Sequence, residues 1–128
     1  MILTLQEKAT ADGTTPDVIL KKLKVENSYK YYTSSRRANH NIRYRFIEGD
    51  ILSGTYFYNL CGSTLLSAFA VSALLRLPAS AIRWMRDRRD GPKYQHIIGK
   101  KDVLVYYLKD VVAYVNRQLK RTMENKKR

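Results

Sequence analysis

The sequence predicts an α+β chain, and three observations predict it. Between residues 65 and 115, apolar residues at helical spacing give way to β-branched and aromatic runs and then return to helical spacing. A Gly-Pro pair, Gly91-Pro92, separates the helical pattern from the strand pattern. A shift of 63 residues lays the first half of the chain on the second with the order of parts preserved.

The second half carries the clearer pattern. Ser67 follows Leu66 as an N-cap would, and Val71, Leu74 and Leu75 supply the apolar face of a first helix. Pro78 opens a second helix over residues 79–89, since a proline in a first turn removes no hydrogen bond that the helix needs. Ile82 and Met85 form its buried stripe, which turns Arg83 and Trp84 outward. Asp90-Gly91-Pro92 ends that helix. The runs 94–98 and 103–107 then pair as a hairpin whose tip, Gly99-Lys100-Lys101-Asp102, is basic. Asp110 begins a last helix with Val111, Val112, Val115 and Leu119 on its apolar face, and the basic tail over residues 120–128 is expected to fray. Two short helices followed by a hairpin are the plan of a winged helix-turn-helix.

At this point a resemblance becomes specific. The string Gly91-Pro92-Lys93-Tyr94-Gln95-His96-Ile97-Ile98-Gly99, followed by Val105-Tyr106-Tyr107-Leu108-Lys109-Asp110-Val111-Val112-Ala113-Tyr114, resembles the excisionase and MerR-type winged helix. Members of that family often carry Gly-Pro-x-Tyr…Gly and then Tyr-x-x-x-Asp-Val-x-Ala-Tyr. The resemblance covers about 50 residues, residues 64–119 forming the unit it implies. Family members usually have Gly where this chain has Arg76, and Ser or Thr where it has Pro78. Trp84 and Met85 compete for the buried aromatic slot, and spacing to Gly91-Pro92 favours Met85.

The first half reads as a worn copy. The shift of 63 places Leu3 on Leu66, Thr4 on Ser67, Ile19 on Ile82 and Tyr44 on Tyr107. Thr4-x-x-Glu7 is a capping box, and Gly13-Thr14-Thr15-Pro16 leads into a helix over residues 17–24. Residues 29–33 and 42–47 form a hairpin with a long basic wing between them, and residues 50–60 form a closing helix. Residues 1–60 are thus a degenerate winged-helix-like unit, or else an unrelated packing or dimerisation piece. The second option is favoured by how few apolar residues the stretch 4–12 offers a core.

Charge narrows the partners. The chain holds 24 Lys+Arg against 11 Asp+Glu, a net +13, which attracts phosphate or anionic headgroups. One segment favours a membrane: residues 51–75 are 25 residues without a charge, long enough to span a bilayer. Nine of them are Ser, Thr, Asn or Gly, so a break between two helices is the stronger expectation and a membrane partner is not expected. A single cysteine, Cys61, excludes an intrachain disulfide and fits a reducing compartment, where it would be a small buried apolar residue. The N-terminal stretch lacks the basic start and long apolar run of a secretion signal, so a cytoplasmic, nucleoid-associated protein of a bacterium or phage is expected.

Enzymatic chemistry finds little support. His40 and His96 stand 56 residues apart without ligand-spaced partners, no carboxylates pair as acid and base, and no phosphate-cradling glycine loop occurs. No catalytic residue, metal or cofactor is therefore expected. In a winged helix the second helix enters the major groove while the wing lies along the backbone, so helix residues specify and wing residues position. That logic and the family pattern imply Ser80, Arg83, Trp84, Arg86 and Arg88 as groove residues, with Arg83 best placed for a guanine edge. His96, Lys100 and Lys101 would hold phosphates from the wing. In the first unit, Lys21, Lys22 and Lys24 on the helix and Arg36, Arg37, Arg43 and Arg45 around the hairpin repeat the arrangement.

The expected function is sequence-specific binding of double-stranded DNA without catalysis, as an excisionase-like recombination directionality factor or a transcriptional regulator of a mobile element. A recombinase or RNA polymerase would act beside it, and a homodimer is compatible with the reading. The competing expectation is a nonspecific nucleic-acid binder, single-strand or architectural, in which Tyr29, Tyr31, Tyr32, Tyr44, Tyr56 and Tyr58 stack on unpaired bases.

Overall fold

The computed structural model describes residues 1–25, 28–35, 42–97 and 103–126 of the 128. The chain is mixed α+β and divides into two compact units, Met1–Ser53 together with the chain from Gln118 onward, and Gly54–Arg117.

In the first unit β1 (Ile2–Thr4) runs straight into α1 (Leu5–Ala11). Thr4 is the reason: its backbone is still extended (φ −73°, ψ 167°), and its hydroxyl accepts from the Glu7 amide at 3.2 Å. The Glu7 carboxylate accepts from the Thr4 amide at 2.9 Å, completing the expected capping box. The helix ends where Gly13 adopts φ +68°, with Gly13 N–H donating to the Thr10 carbonyl and Thr14 N–H to that of Ala9 at 2.9 Å. α2 (Pro16–Val25) follows, then β2 (Tyr31–Ser35) and β3 (Ile42–Ile47), in an antiparallel sheet of order β1-β3-β2. Phe46 sits at the centre, opposite Leu3 on one side and Tyr31 on the other, and packs with Ala9, Ile19 and Leu23 as the core. Tyr31 stacks on Phe46 with centroids 5.6 Å apart, and Tyr29 meets it edge-on at 5.9 Å. Thr4→Ala, which removes one half of the capping box, is expected to lower the thermal midpoint through a loss of about 1 kcal/mol, measurable by calorimetry.

The second unit has the same order of parts. β4 (Leu65–Ser67), α3 (Ala68–Leu75), α4 (Ala79–Arg88), β5 (Gln95–His96) and β6 (Leu104–Tyr107) form a sheet of order β4-β6-β5, after which α5 (Leu108–Lys126) begins. Ser67 caps α3 as expected, accepting from the Ala70 amide at 3.1 Å. Leu66, Val71, Leu74, Leu75, Ile82, Met85 and Tyr106 are buried, as are Leu108, Val111, Tyr114 and Val115 along one stripe of α5. The first amides of α5 do not go unpaired: Leu108 N–H donates to the Thr64 carbonyl and Lys109 N–H to that of Gly62, both at 2.9 Å.

The offset of 63 is followed atom by atom. Gly13 becomes Arg76, which takes the same left-handed conformation (φ 58°, ψ 42°), and the bonds closing α1 recur as Arg76 N–H to Ala73 and Leu77 N–H to Ser72. The offset holds through the third strand of each order, because Tyr32 opposite Arg45 corresponds to Gln95 opposite Val105. Beyond the hairpin tip it falls to 60, since Phe46 and Tyr106 occupy one place, each opposite a strand-one leucine. The aromatic pair Tyr31–Phe46 thus recurs as Tyr94–Tyr106, with centroids 6.3 Å apart. The expected match of Tyr44 with Tyr107 is corrected accordingly: Tyr107 corresponds to Ile47, and Tyr44 to Leu104.

Other expectations also change. Residues 50–60 form successive turns, not a closing helix, because Gly54 (φ +71°) interrupts them and the bonds span three residues, as in Tyr58 N–H to the Thr55 carbonyl. The uncharged stretch 51–75 is accordingly turns, a strand and an eight-residue helix, and among the described residues no helix is long and apolar enough to cross a membrane. Pro78 is the N-cap of α4 and lies outside it, with no side-chain cap bond. α5 starts two residues before Asp110, and the basic tail expected to fray continues it to Lys126. Cys61 is exposed, contrary to the expectation of burial, and the hydroxyl of Ser63, 3.1 Å from its sulfur, holds its thiol below the ordinary value.

Candidate nucleic-acid interface

α4 divides its residues sharply. Ile82 and Met85 are buried against the unit, so the positions at i, i+3, i+4, i+7 and i+8 from Ser80 share the opposite face. Ser80, Arg83, Asp87 and Arg88 are exposed there, and Trp84 is half-buried among them. The Arg88 guanidinium lies over the Trp84 ring at 4.3 Å from its centroid and 3.9 Å from the Asp90 carboxylate. Cation and ring fix each other, while the ion pair, about half exposed at both ends, adds little. Asp87, which is not among the groove residues expected from the sequence, places a negative charge in the middle of this face. Its signal was present in the i+4 spacing from Arg83.

Arg86 is not part of that face. It is half-buried and lines a groove of about 300 Å³ with Met85, Arg89, Gly91, Pro92, Lys93 and Tyr94. The groove is built by the end of α4: Arg89 takes a left-handed conformation (φ 58°, ψ 35°), its N–H donates to Arg86 and that of Asp90 to Met85, and the chain reverses into Gly91-Pro92. An arginine in this conformation costs on the order of 1 kcal/mol relative to glycine. Gly91 is required for a different reason. A Cβ there would stand 2.9 Å from both the Cβ and the Cε of Met85. Gly91→Ala is therefore expected to destabilise the second unit by on the order of 1 kcal/mol, because Met85 can swing its terminal methyl aside but not its Cβ, and a denaturant titration would detect it. This tight contact also agrees with the choice of Met85 over Trp84 for the buried position.

Behind the groove, Tyr106 is fully buried and its hydroxyl has no hydrogen-bond partner among the described residues. Burial pushes its pKa up, and the nearby Arg86 guanidinium, which falls short of hydrogen-bond geometry, acts against that rise. His96 is exposed on β5 with its ring edge-on to Tyr94 at 5.9 Å, so it flanks the hairpin and does not form its tip. Lys100, Lys101, Arg36, Arg37 and His40 lie outside the described residues.

In the first unit Lys21, Lys22 and Lys24 are exposed on α2, which buries only Ile19 and Leu23. Arg43 is half-buried on β3 opposite Ser34. Arg45 departs from the expectation of a surface cation: it is 8% exposed, and its Nη1 donates to the Tyr44 carbonyl at 2.8 Å. The alternation of the strand puts Tyr44 and Phe46 on the core side and Arg45 on the other, together with the buried Ile2, Tyr32 and Ile47. Of the six tyrosines considered as stacking platforms, Tyr29, Tyr31 and Tyr44 pack on the core and Tyr32 is buried, while Tyr56 and Tyr58 are exposed.

Among the described residues no group of three or more His, Cys, Asp or Glu is placed to hold a metal ion. No known protein family, curated protein or solved structure matches the chain.

Proposed function

We propose that the chain is a sequence-specific double-stranded DNA-binding protein whose two units are tandem winged helix-turn-helix folds. The observation that carries this reading is the outer face of α4, where Ser80, Arg83, Trp84 and Arg88 stand together on a helix anchored by Ile82 and Met85. A ten-residue helix about 15 Å long with one polar, cationic face has the dimensions of a major-groove reader. Arg83 donates to a guanine edge. Asp87 accepts from a cytosine amino group or repels a misplaced phosphate, which gives the face discrimination beyond charge. The hairpin β5–β6 lies along the adjacent backbone, with Lys100 and Lys101 on phosphates. In the first unit α2 presents Lys21, Lys22 and Lys24, so two tethered units read a composite site longer than either reads alone.

The biological setting that fits is a mobile element in a bacterial cytoplasm, with the chain acting as a recombination directionality factor beside a recombinase or as a regulator beside RNA polymerase. Both roles need a duplex reader. The single-strand alternative draws less support, because four of the six candidate tyrosines are engaged in packing.

Selection of binding sites from a random duplex pool at two salt concentrations tests the reading, since phosphate contacts weaken steeply with salt while base contacts set preference. An enriched motif that persists at the higher salt is the expected result. Binding without enrichment, lost at the higher salt, would replace this reading with charge-driven association.

A further inference from the structure

We propose that the groove at the end of α4 seats one phosphodiester of the DNA backbone, clasped by Arg89 and Lys93 with Arg86 on its inner wall. This assignment rests on the duplex-binding reading and adds to it a site outside the base-reading face. The argument begins from Arg89. The residue closes α4 in a left-handed backbone (φ 58°), as Arg76 closes α3, and its side chain is exposed where the chain turns back into Gly91-Pro92. Arg89 lines the groove together with Arg86 and Lys93, and none of the seven lining residues is a carboxylate. The nearest candidate in sequence, Asp90, pairs with Arg88 instead. Among the described residues, three cationic residues line one concavity that no carboxylate lines, which defines the class of ligand: a phosphate-like oxyanion.

The walls suit a backbone and not a base edge. Met85 is buried, packed against Gly91, and Pro92 is buried beside it, which gives an apolar, rigid floor against which a deoxyribose can rest. Tyr94 also lines the groove and makes ring contacts with Tyr106 and His96. At about 300 Å³ the groove lies at the small end of ligand-sized pockets, fitting one sugar-phosphate unit. Its position at the C-terminal end of α4 puts the contact on the strand flanking the groove that α4 enters, where it fixes register without reading sequence.

The experiment compares the full chain with Arg89→Gly and Lys93→Gln in duplex binding over a range of salt, with thermal unfolding of each. Arg89→Gly relieves the backbone strain, so the thermal midpoint rises while duplex affinity falls, and the slope of log K against log salt becomes shallower by about 1. Lys93→Gln gives the same shallower slope, and in both variants the preferred sequence is unchanged. If the wild type binds duplex and both variants keep its affinity and slope, the phosphate assignment is overturned while the DNA-binding reading stands. If the wild type binds no duplex at low salt, the functional reading itself fails and the assignment falls with it. A third arm titrates inorganic phosphate alone while following the amide signals of Arg89, Gly91 and Lys93. Saturation of those signals at the same concentration of free phosphate as of duplex phosphate would overturn the backbone assignment in favour of a free-anion site.

Discussion

Replacing Ile82 with alanine is expected to lower the stability of the second unit by about 2–5 kcal/mol, enough to unfold a large share of a small domain. Ile82 is 1% exposed and lies on the face of α4 turned toward the unit, where Val71, Leu74, Leu75 and Tyr106 are also buried. Truncation removes the methyl groups that hold α4 and leaves a cavity that its neighbours can fill only by moving the helix. Loss of thermal stability together with loss of duplex binding is the expected pair of outcomes. Stability unchanged would mean that α4 is not anchored by this residue, and the geometry of its outer face would lose its support. The corresponding residue of the first unit, Ile19, is fully buried and gives a matched experiment there.

Arg83→Ala is the complementary case, with little effect on folding and a large one on recognition. Arg83 is exposed on α4, between Ser80 and Asp87 on one face. If it contacts a guanine edge, the variant loses about 1–3 kcal/mol of affinity for the selected site and relaxes preference at one base pair, while binding to random duplex hardly changes. The measurement is a pair of titrations with selected and scrambled duplexes at one salt concentration. Equal losses on both would assign Arg83 to phosphate. No loss on either would remove α4 as the reader.

Much of this arrangement was legible because it rests on short-range rules. The caps at Thr4 and Ser67 and the buried positions Ile82 and Met85 each depend on a few adjacent residues and stand as expected, while the hairpin after Gly91-Pro92 is present but its first strand is Gln95–His96, shorter than the expected 94–98. Features that depend on strand register were less visible. Arg45 looks like a surface cation in sequence, and only its pairing with Thr4 and Tyr32 reveals that it lies on a buried face. The match of Tyr44 with Tyr107 failed for the same reason, since a change of length inside a hairpin leaves no local mark. The stretch 50–60 has enough apolar residues for a helix, but Gly54 and Thr55 are poor helix formers and their turns prevail. Within the candidate site, counting charge located the basic cluster but could not divide it. Helical angle and the left-handed turn at Arg89 separate the outer face from the groove, and these are properties of the folded backbone.

The change of offset from 63 to 60 is confined to one place, between Thr33 and Tyr44 in the first unit and between His96 and Leu104 in the second. Everything that sets the helices and the sheet has kept its spacing, and only the connection at the tip has varied. Closing a loop a few residues longer costs a small fraction of a kcal/mol, so this segment can be lengthened or shortened at almost no penalty to the scaffold. The hairpin connection is therefore the part of each unit whose length can change while the spacing of the helices and of the sheet stays fixed.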